Sequence, residues 1–173
     1  DILLIADEVI TGFGRLGQAF GTDLYGLKPD FITVAKMLTS AYFPMSALYL
    51  SDRVYQAVAD ASAGVGTFGH GYTYSGHPVA CAVALETLKI YEDDQVLSHV
   101  QQVAPQLQNG LRRFAQHPIV GEVRGLGLIG AIELVKNPQT RQAFDPKLGV
   151  GAYLVQRAQE RGLILRSMAG DIV

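Results

Sequence analysis

The chain predicts an α/β fold, and three observations carry that prediction. Two short runs, residues 2–6 and 31–35, have the nearly unbroken Leu/Ile/Val pattern of strands buried on both faces of a sheet. Two longer segments, starting at Pro78 and Val96, repeat apolar residues at spacings of three and four, the period of a helix laid against a core. The stretches between these segments are broken by glycine and proline, as connections are.

Each element follows in order. Residues 2–6 form the first strand. Gly12, Gly14, Gly17, Gly21, Gly26 and Pro29 make residues 12–29 a loop-rich crossing with room for a short turn of helix at most. Strands are expected at 31–35 and 46–50, a helix at 53–61, and a glycine- and aromatic-rich loop at 64–76. Pro78 suits the first turn of the next helix, because the N–H it lacks would have no partner there. Val79, Ala80, Val83, Ala84, Leu88 and Tyr91 populate its buried faces, and Glu92-Asp93-Asp94 ends it. Val96, Val100, Val103, Leu107, Leu111 and Phe114 define a second helix, which stops at His117-Pro118. Strands at 119–123 and 126–135, a helix at 150–161 ended by Gly162, and a strand at 163–166 complete the chain. Residues 1–94 therefore read as part of a parallel-sheet domain, and 95–173 as a smaller α+β unit. Asp1 leads straight into a strand, and Asp171-Ile172-Val173 reads as one just beginning, so a piece of a longer protein is expected.

Composition narrows the classes of function. With 173 residues, 49% of them apolar, the chain can bury a sizeable core. A net charge of −2 offers no basic surface for nucleic acid. No apolar run approaches membrane-spanning length. Cys81 is the single cysteine, which excludes an intramolecular disulfide and a cysteine-based zinc site and suits a reducing compartment such as the cytoplasm.

Two residues stand out chemically. Asp7 ends the first strand, where ligands of parallel sheets bind, although such an aspartate also serves as a strand-end cap. Lys36 follows the second strand and precedes Thr39 and Ser40. It reads either as a desolvated amine with a lowered pKa or as a lysine snorkelling from a strand end. Lys89 lies on a helix three residues from both Glu86 and Glu92, an ion-pair arrangement, and Lys28, Lys136 and Lys147 occupy turn-like segments. A carboxylate and an amine delivered from two strand ends are what pyridoxal phosphate requires, one for its ring nitrogen and one for its aldehyde.

Other motifs are less specific. Gly12-Phe13-Gly14-Arg15-Leu16-Gly17 fits a dinucleotide fingerprint, but that fingerprint must open a helix, and the acidic Asp7-Glu8 would repel phosphate. Residues 70–78 place hydroxyls and backbone N–H groups before a helix, either as a phosphate seat or as an ordinary turn. His70 and His77 lack metal-ligand spacing, and no metal is expected. Arg166 ends a strand and could grip a carboxylate with two parallel hydrogen bonds, or be structural.

Together these segments resemble the class III (omega-type) pyridoxal-phosphate aminotransferases across essentially the whole chain. Asp7-Glu8-Val9-Ile10-Thr11-Gly12-Phe13-Gly14-Arg15 and the stretch to Lys36 are similar to that family's strand-and-loop signature. Tyr72-Thr73-Tyr74-Ser75-Gly76-His77-Pro78 is similar to its phosphate-side loop, and Val123-Arg124-Gly125-Leu126-Gly127 to the start of its small domain. The resemblance implies fold type I, with the end of the large domain at 1–94 and most of the small domain at 95–173.

It implies pyridoxal 5′-phosphate as cofactor, Lys36 as the lysine joined to its aldehyde and as proton shuttle, and Asp7 as partner of the pyridinium nitrogen. Val9 would pack on the ring, and Thr73 would bind the phosphate across a homodimer interface. Phe43-Pro44-Met45 and Ser75-Gly76-His77-Pro78 are most similar to the omega-amino-acid or amine:pyruvate branch. There Arg166 would bind substrate carboxylate and Ile10 would lie near the substrate. Transfer of an amino group to a keto acid, pyruvate foremost, by a ping-pong mechanism is the expected activity. The alternatives are an aminomutase or decarboxylase on the same scaffold, or a piece inactive by itself. The glycine run common after the family's lysine is replaced here by Thr39-Ser40-Ala41-Tyr42.

Overall fold

The computed structural model describes residues 2–173, and they fall into two compact units divided between Val100 and Gln101. In the first unit, β1 (Ile5–Asp7), β2 (Phe31–Val34) and β3 (Ala47–Leu50) form one sheet in the order β1-β2-β3. β1 and β2 are parallel, with Asp7 opposite Thr33. β3 runs antiparallel to β2, so the sheet is mixed where a parallel one was expected. The physical reason lies in the connection. Between Val34 and Ala47 there is only one turn of 3-10 helix, Lys36–Leu38, and no crossover helix of the kind that parallel neighbours need.

The connection from β1 to β2 holds α1 (Gly21–Tyr25), a five-residue helix, as its glycine spacing predicts. It is followed around the sheet by α2 (Asp52–Val65) and α3 (Pro78–Asp93), the latter opening on Pro78 as expected. Asp30 joins the strand starts by accepting hydrogen bonds from the Leu4 N–H at 2.9 Å and Arg53 Nη2 at 2.7 Å. The core gathers Val34, Leu38 and Ala84, with Phe13, Phe20, Ile32, Met45 and Ala47 packed against them. It therefore lies beneath the turn that follows β2.

One expectation of burial fails. Ile2 is 97% exposed and Ile5 62%, so the first run is not buried on both faces. Among the described residues β1 has a single neighbour, β2, and nothing covers its faces. In β3, Leu48, Tyr49 and Leu50 are exposed as well.

Most of α4 (Val96–Arg112), from Gln101 on, belongs to the second unit, and a 3-10 turn, Arg113–Gln116, follows it. β4 (Val120–Leu126) and β5 (Ile129–Leu134) pair antiparallel across a tight turn. Gln108 is buried and spans that turn, with Nε2 donating to the Gly127 and Ile129 carbonyls at 2.9 Å each. Gly125 is required beside it, because a Cβ there would lie 2.5 Å from the Ile129 carbonyl oxygen. α5 (Val150–Gln159) follows. The strand expected at 163–166 is absent, since that segment forms no ladder. The final residues instead extend the hairpin by backbone bonds, with Ile132 and Val173 exchanging N–H···O contacts of 2.7 and 2.9 Å. None of the described helices is long and apolar enough to cross a membrane.

Candidate active site

The parallel pairing of β1 and β2 places the residues that follow both strands at the same edge of the sheet. Asp7 is the last residue of β1. Its Oδ1 accepts from the Val9 N–H at 3.1 Å and from Thr33 Oγ1 at 3.3 Å, which orients the carboxylate from its own turn and from the neighbouring strand. Oδ2 has no partner among the described residues. The group is exposed and available to a donor from outside the chain.

Glu8 behaves differently. Its backbone N–H continues the ladder to the Thr33 carbonyl at 2.9 Å, and its side chain is turned inward with 3% of its surface exposed. Burial alone would raise its pKa. Hydrogen bonds from the Thr11 hydroxyl, the Gly21 N–H (2.9 Å) and the Thr22 N–H (2.6 Å) outweigh that and hold the carboxyl below the usual carboxylate range. Glu8 thus ties the end of β1 to the first residues of α1 and closes the glycine loop. Within that loop Gly14 has φ +104°, a conformation that a residue with a side chain adopts only under strain. Sequence reasoning missed Glu8. The available signal was Thr11 three residues on, which is the spacing of a local carboxylate–hydroxyl contact.

Lys36 begins the 3-10 turn after β2 with φ +44°, and Ser40 and Ala41 follow at +48° and +64°. Each left-handed non-glycine residue costs on the order of 1 kcal/mol, so the turn must be held by its surroundings. Val34 and Leu38 on either side are buried, and Thr39 is 1% exposed with its hydroxyl donating to the Phe43 carbonyl at 2.6 Å. The Lys36 carbonyl accepts from the Thr39 and Ala41 N–H groups at 3.3 and 3.2 Å. Tyr91 of α3 donates its hydroxyl to the Met37 carbonyl at 2.8 Å, and Arg15 of the glycine loop reaches the Met37 sulfur at 3.9 Å.

Lys36 itself is exposed, which agrees with a lysine leaving a strand end and not with the desolvated amine, the two readings that the sequence left open. The reason is its place: it leaves the strand as the turn begins and so escapes the apolar layer that encloses Val34 and Leu38. Its amine meets no acidic partner among the described residues. Lys89 is also exposed, and the ion pair expected with Glu86 or Glu92 does not form.

Thr73 lies in an exposed turn, residues 73–76, whose support is local. The Tyr72 N–H donates to Ser75 Oγ at 3.0 Å, the Ser75 N–H donates to the Tyr72 carbonyl at 2.9 Å, and Gly76 has φ +66°. The Thr73 hydroxyl has no partner among the described residues. His77 caps α3, with Nδ1 accepting from the Val79 N–H at 3.2 Å, and its ring stacks on Phe43 at 5.7 Å. That contact links the start of α3 to the loop that follows Lys36. Val9 is half-buried and Ile10 is 55% exposed beside Asp7. Arg166 is exposed in the irregular segment of the second unit. No cluster of three or more His, Cys, Asp or Glu residues suited to a metal occurs among the described residues.

The donor set therefore suits one kind of group: an unpaired carboxylate oxygen and an unpaired amine at neighbouring parallel strand ends, with a free hydroxyl in the turn before α3. These are the groups that a protonated ring nitrogen, an aldehyde and a phosphate call for, so the residues present fit pyridoxal phosphate. The fold is that of the fold-type-I pyridoxal-phosphate-dependent transferases.

The family is more particular. The model of the class-III aminotransferases matches residues 1–173, and the chain belongs to that family, whose members depend on pyridoxal phosphate. It is 50% identical over 173 residues to a gamma aminobutyrate transaminase of Solanum lycopersicum named as mitochondrial, covering 100% of this chain and 33% of that protein. To an uncharacterized aminotransferase of Sinorhizobium fredii it is 53% identical over 175 residues, covering 100% of this chain and 38% of the relative. Among solved structures, the omega transaminase from Pseudomonas jessenii in complex with PMP superposes with a TM-score of 0.94 at 48% identity, over 100% of this chain and 38% of that one. A transaminase from ancestral reconstruction reaches 0.97 at 48% identity, over 99% of this chain and 38% of its own. The chain thus spans about a third of the length of the curated relatives it matches.

Proposed function

We propose that the whole protein is an aminotransferase that moves an amino group from an amine or omega-amino acid to a keto acid, with pyruvate as acceptor, in the two half-reactions of a ping-pong cycle. One observation carries the reading: Asp7 and Lys36 stand at the carboxyl ends of neighbouring parallel strands, each with a reactive atom that the chain leaves unpaired. The names of the relatives, gamma aminobutyrate transaminase and omega transaminase, support the donor class.

Pyridoxal phosphate, when bound, supplies an electron sink next to the substrate's reacting carbon. Asp7 Oδ2 would accept the ring N–H and keep that nitrogen protonated. Lys36 would hold the cofactor through its aldehyde and, as a free amine, would carry a proton from the substrate carbon to the cofactor carbon. Val9 would pack against the ring. Thr73 would donate its hydroxyl to the phosphate of a neighbouring subunit, in a homodimer with shared sites. Ile10 would border the substrate, and Arg166 would grip its carboxylate. In this reading residues 1–94 end the cofactor-binding large domain and 95–173 make most of the small domain. A cytoplasmic location goes with it, supported by the single cysteine.

The test is direct transfer from an amine to pyruvate by the full-length enzyme. Lys36→Ala should lower turnover by roughly 10⁴-fold or more, and turnover retained by that variant would sink the proposal. Arg166→Ala should cost about tenfold in kcat/KM for a keto acid and much less for a simple amine donor. Equal losses for both would remove Arg166 from the carboxylate site.

A further inference from the structure

The periodicity of α3 counts Tyr91 among the apolar positions of a packed face, yet the structure uses its hydroxyl. Among the described residues, two polar contacts reach the Lys36 turn from other elements: Tyr91 Oη to the Met37 carbonyl at 2.8 Å, and the longer Arg15 contact to the Met37 sulfur at 3.9 Å. The Met37 carbonyl also receives the Ser40 N–H, at 3.3 Å. The Tyr91 bond is therefore the shorter of the two at that oxygen, and it comes from a helix 54 residues away in sequence. The turn it meets carries three left-handed non-glycine residues, Lys36, Ser40 and Ala41, and the internal bonds to the Lys36 and Met37 carbonyls, at 3.2 and 3.3 Å, are longer than those of 3.0 Å to the Ala35 and Thr39 carbonyls on either side. Left-handed dihedrals of this kind persist only where the surroundings hold them, and the Tyr91 bond is the shorter of the two polar contacts that reach this turn from other elements among the described residues.

We propose that Tyr91 is a positioning residue for Lys36: its hydroxyl pins the peptide after the lysine to α3 and thereby sets where the amine projects. This rests on the reading of Lys36 as the residue joined to the cofactor. The α3 anchor also connects Lys36 to the helix that begins beside Thr73, so one rigid element locates the lysine turn at one end and the hydroxyl-bearing turn at the other. Tyr91 does not reach the reacting atoms, and its effect is one of geometry. Misplacing a catalytic group by a fraction of an ångström lowers the rate without weakening substrate binding.

The experiment compares Tyr91→Phe and Tyr91→Leu in the full-length enzyme. Both remove the hydroxyl, and only the second removes the ring's packing. Three readouts are taken: the pH titration of the visible absorbance that reports the link between Lys36 and the cofactor, kcat and KM separately, and hydrogen exchange of the 39–41 amides in cofactor-free protein. Both variants should shift the titration midpoint by about half a pH unit. Both should lower kcat about tenfold with KM nearly unchanged, and raise exchange at 39–41 about fivefold while β2 keeps its protection. Variants that titrate and turn over like the wild type overturn the role of Tyr91, whatever their melting temperatures. So do changes confined to Tyr91→Leu, which would assign the effect to packing; where Tyr91→Leu fails to fold, Tyr91→Phe, which keeps the ring, decides. A wild-type enzyme with no such visible band overturns the aminotransferase reading itself, and the role of Tyr91 with it.

Discussion

The two turns that offer groups to the candidate site are held in opposite ways. The strand-end edge with Asp7 and Lys36 is fixed by contacts from distant parts of the chain: Thr33 on Asp7, the Glu8 carboxylate on α1, and Tyr91 on the peptide after Lys36. The turn with Thr73 is exposed and held by local contacts, the bonds between Tyr72 and Ser75 and the edge-on contact of the Tyr72 ring with His70. The difference separates what this chain completes by itself from what it presents outward. A group whose geometry must be right for proton transfer is anchored by several elements. A group that would meet a phosphate held elsewhere needs only a local turn and a free hydroxyl.

Breaking the anchored side should have the larger consequences. Asp7→Ala should lower kcat/KM by about 10²–10³-fold if Asp7 has its proposed role, because the ring nitrogen would lose the carboxylate that keeps its proton, while unfolding by denaturant stays close to wild type. If activity survives, the carboxylate is a strand cap. Glu8→Ala should do the reverse, costing about 3 kcal/mol of stability by leaving the Gly21 and Thr22 N–H groups buried without a partner.

Glu8 also gives a pH signature. Its folded-state pKa is lowered, so its contribution is fully present above the unfolded carboxyl range and is lost as pH falls through the folded value. The stability gap between wild type and Glu8→Gln, measured by denaturation across pH, should therefore shrink on acidification. A gap that widens would show that Glu8 is not ionised in the fold. On the other side of the comparison, Thr73→Ala should weaken cofactor affinity by about 10- to 100-fold, one hydrogen bond to a charged group, with no change in melting temperature. A loss of stability there would mean that the turn is anchored after all.

Much of this was legible in the order of residues. The helices starting at Pro78 and Val96 and the short helix inside the glycine crossing follow from periodicity and turn chemistry, which act between neighbours in sequence, and so do two strands between 119 and 135, although the turn between them falls at Gly127 rather than before Leu126. Asp7 and Lys36 could be singled out because each closes an apolar run. Three features could not be read. β3 reverses against β2, since strand direction depends on the path of a connection rather than on composition. The segment 163–166 has a strand's residues but no strand beside it, and a strand exists only with a partner. The apolar faces of β1 and β3 lie open, because burial is a property of what surrounds a residue.

The same division runs through the candidate site. Residue types and local spacing define which chemistry is on offer, a carboxylate, an amine and a hydroxyl each next to a turn. Folding in three dimensions settles which of them are free to use it. Asp7 and Glu8 are adjacent acids with nearly the same chemistry, yet one faces outward with an unpaired oxygen and the other is consumed by three donors. Tyr91 and Met37, 54 positions apart, become partners only when α3 packs on the turn after β2. Hydrogen bonds between distant segments leave no periodic trace in a sequence, because their partners are chosen by the path of the folded chain.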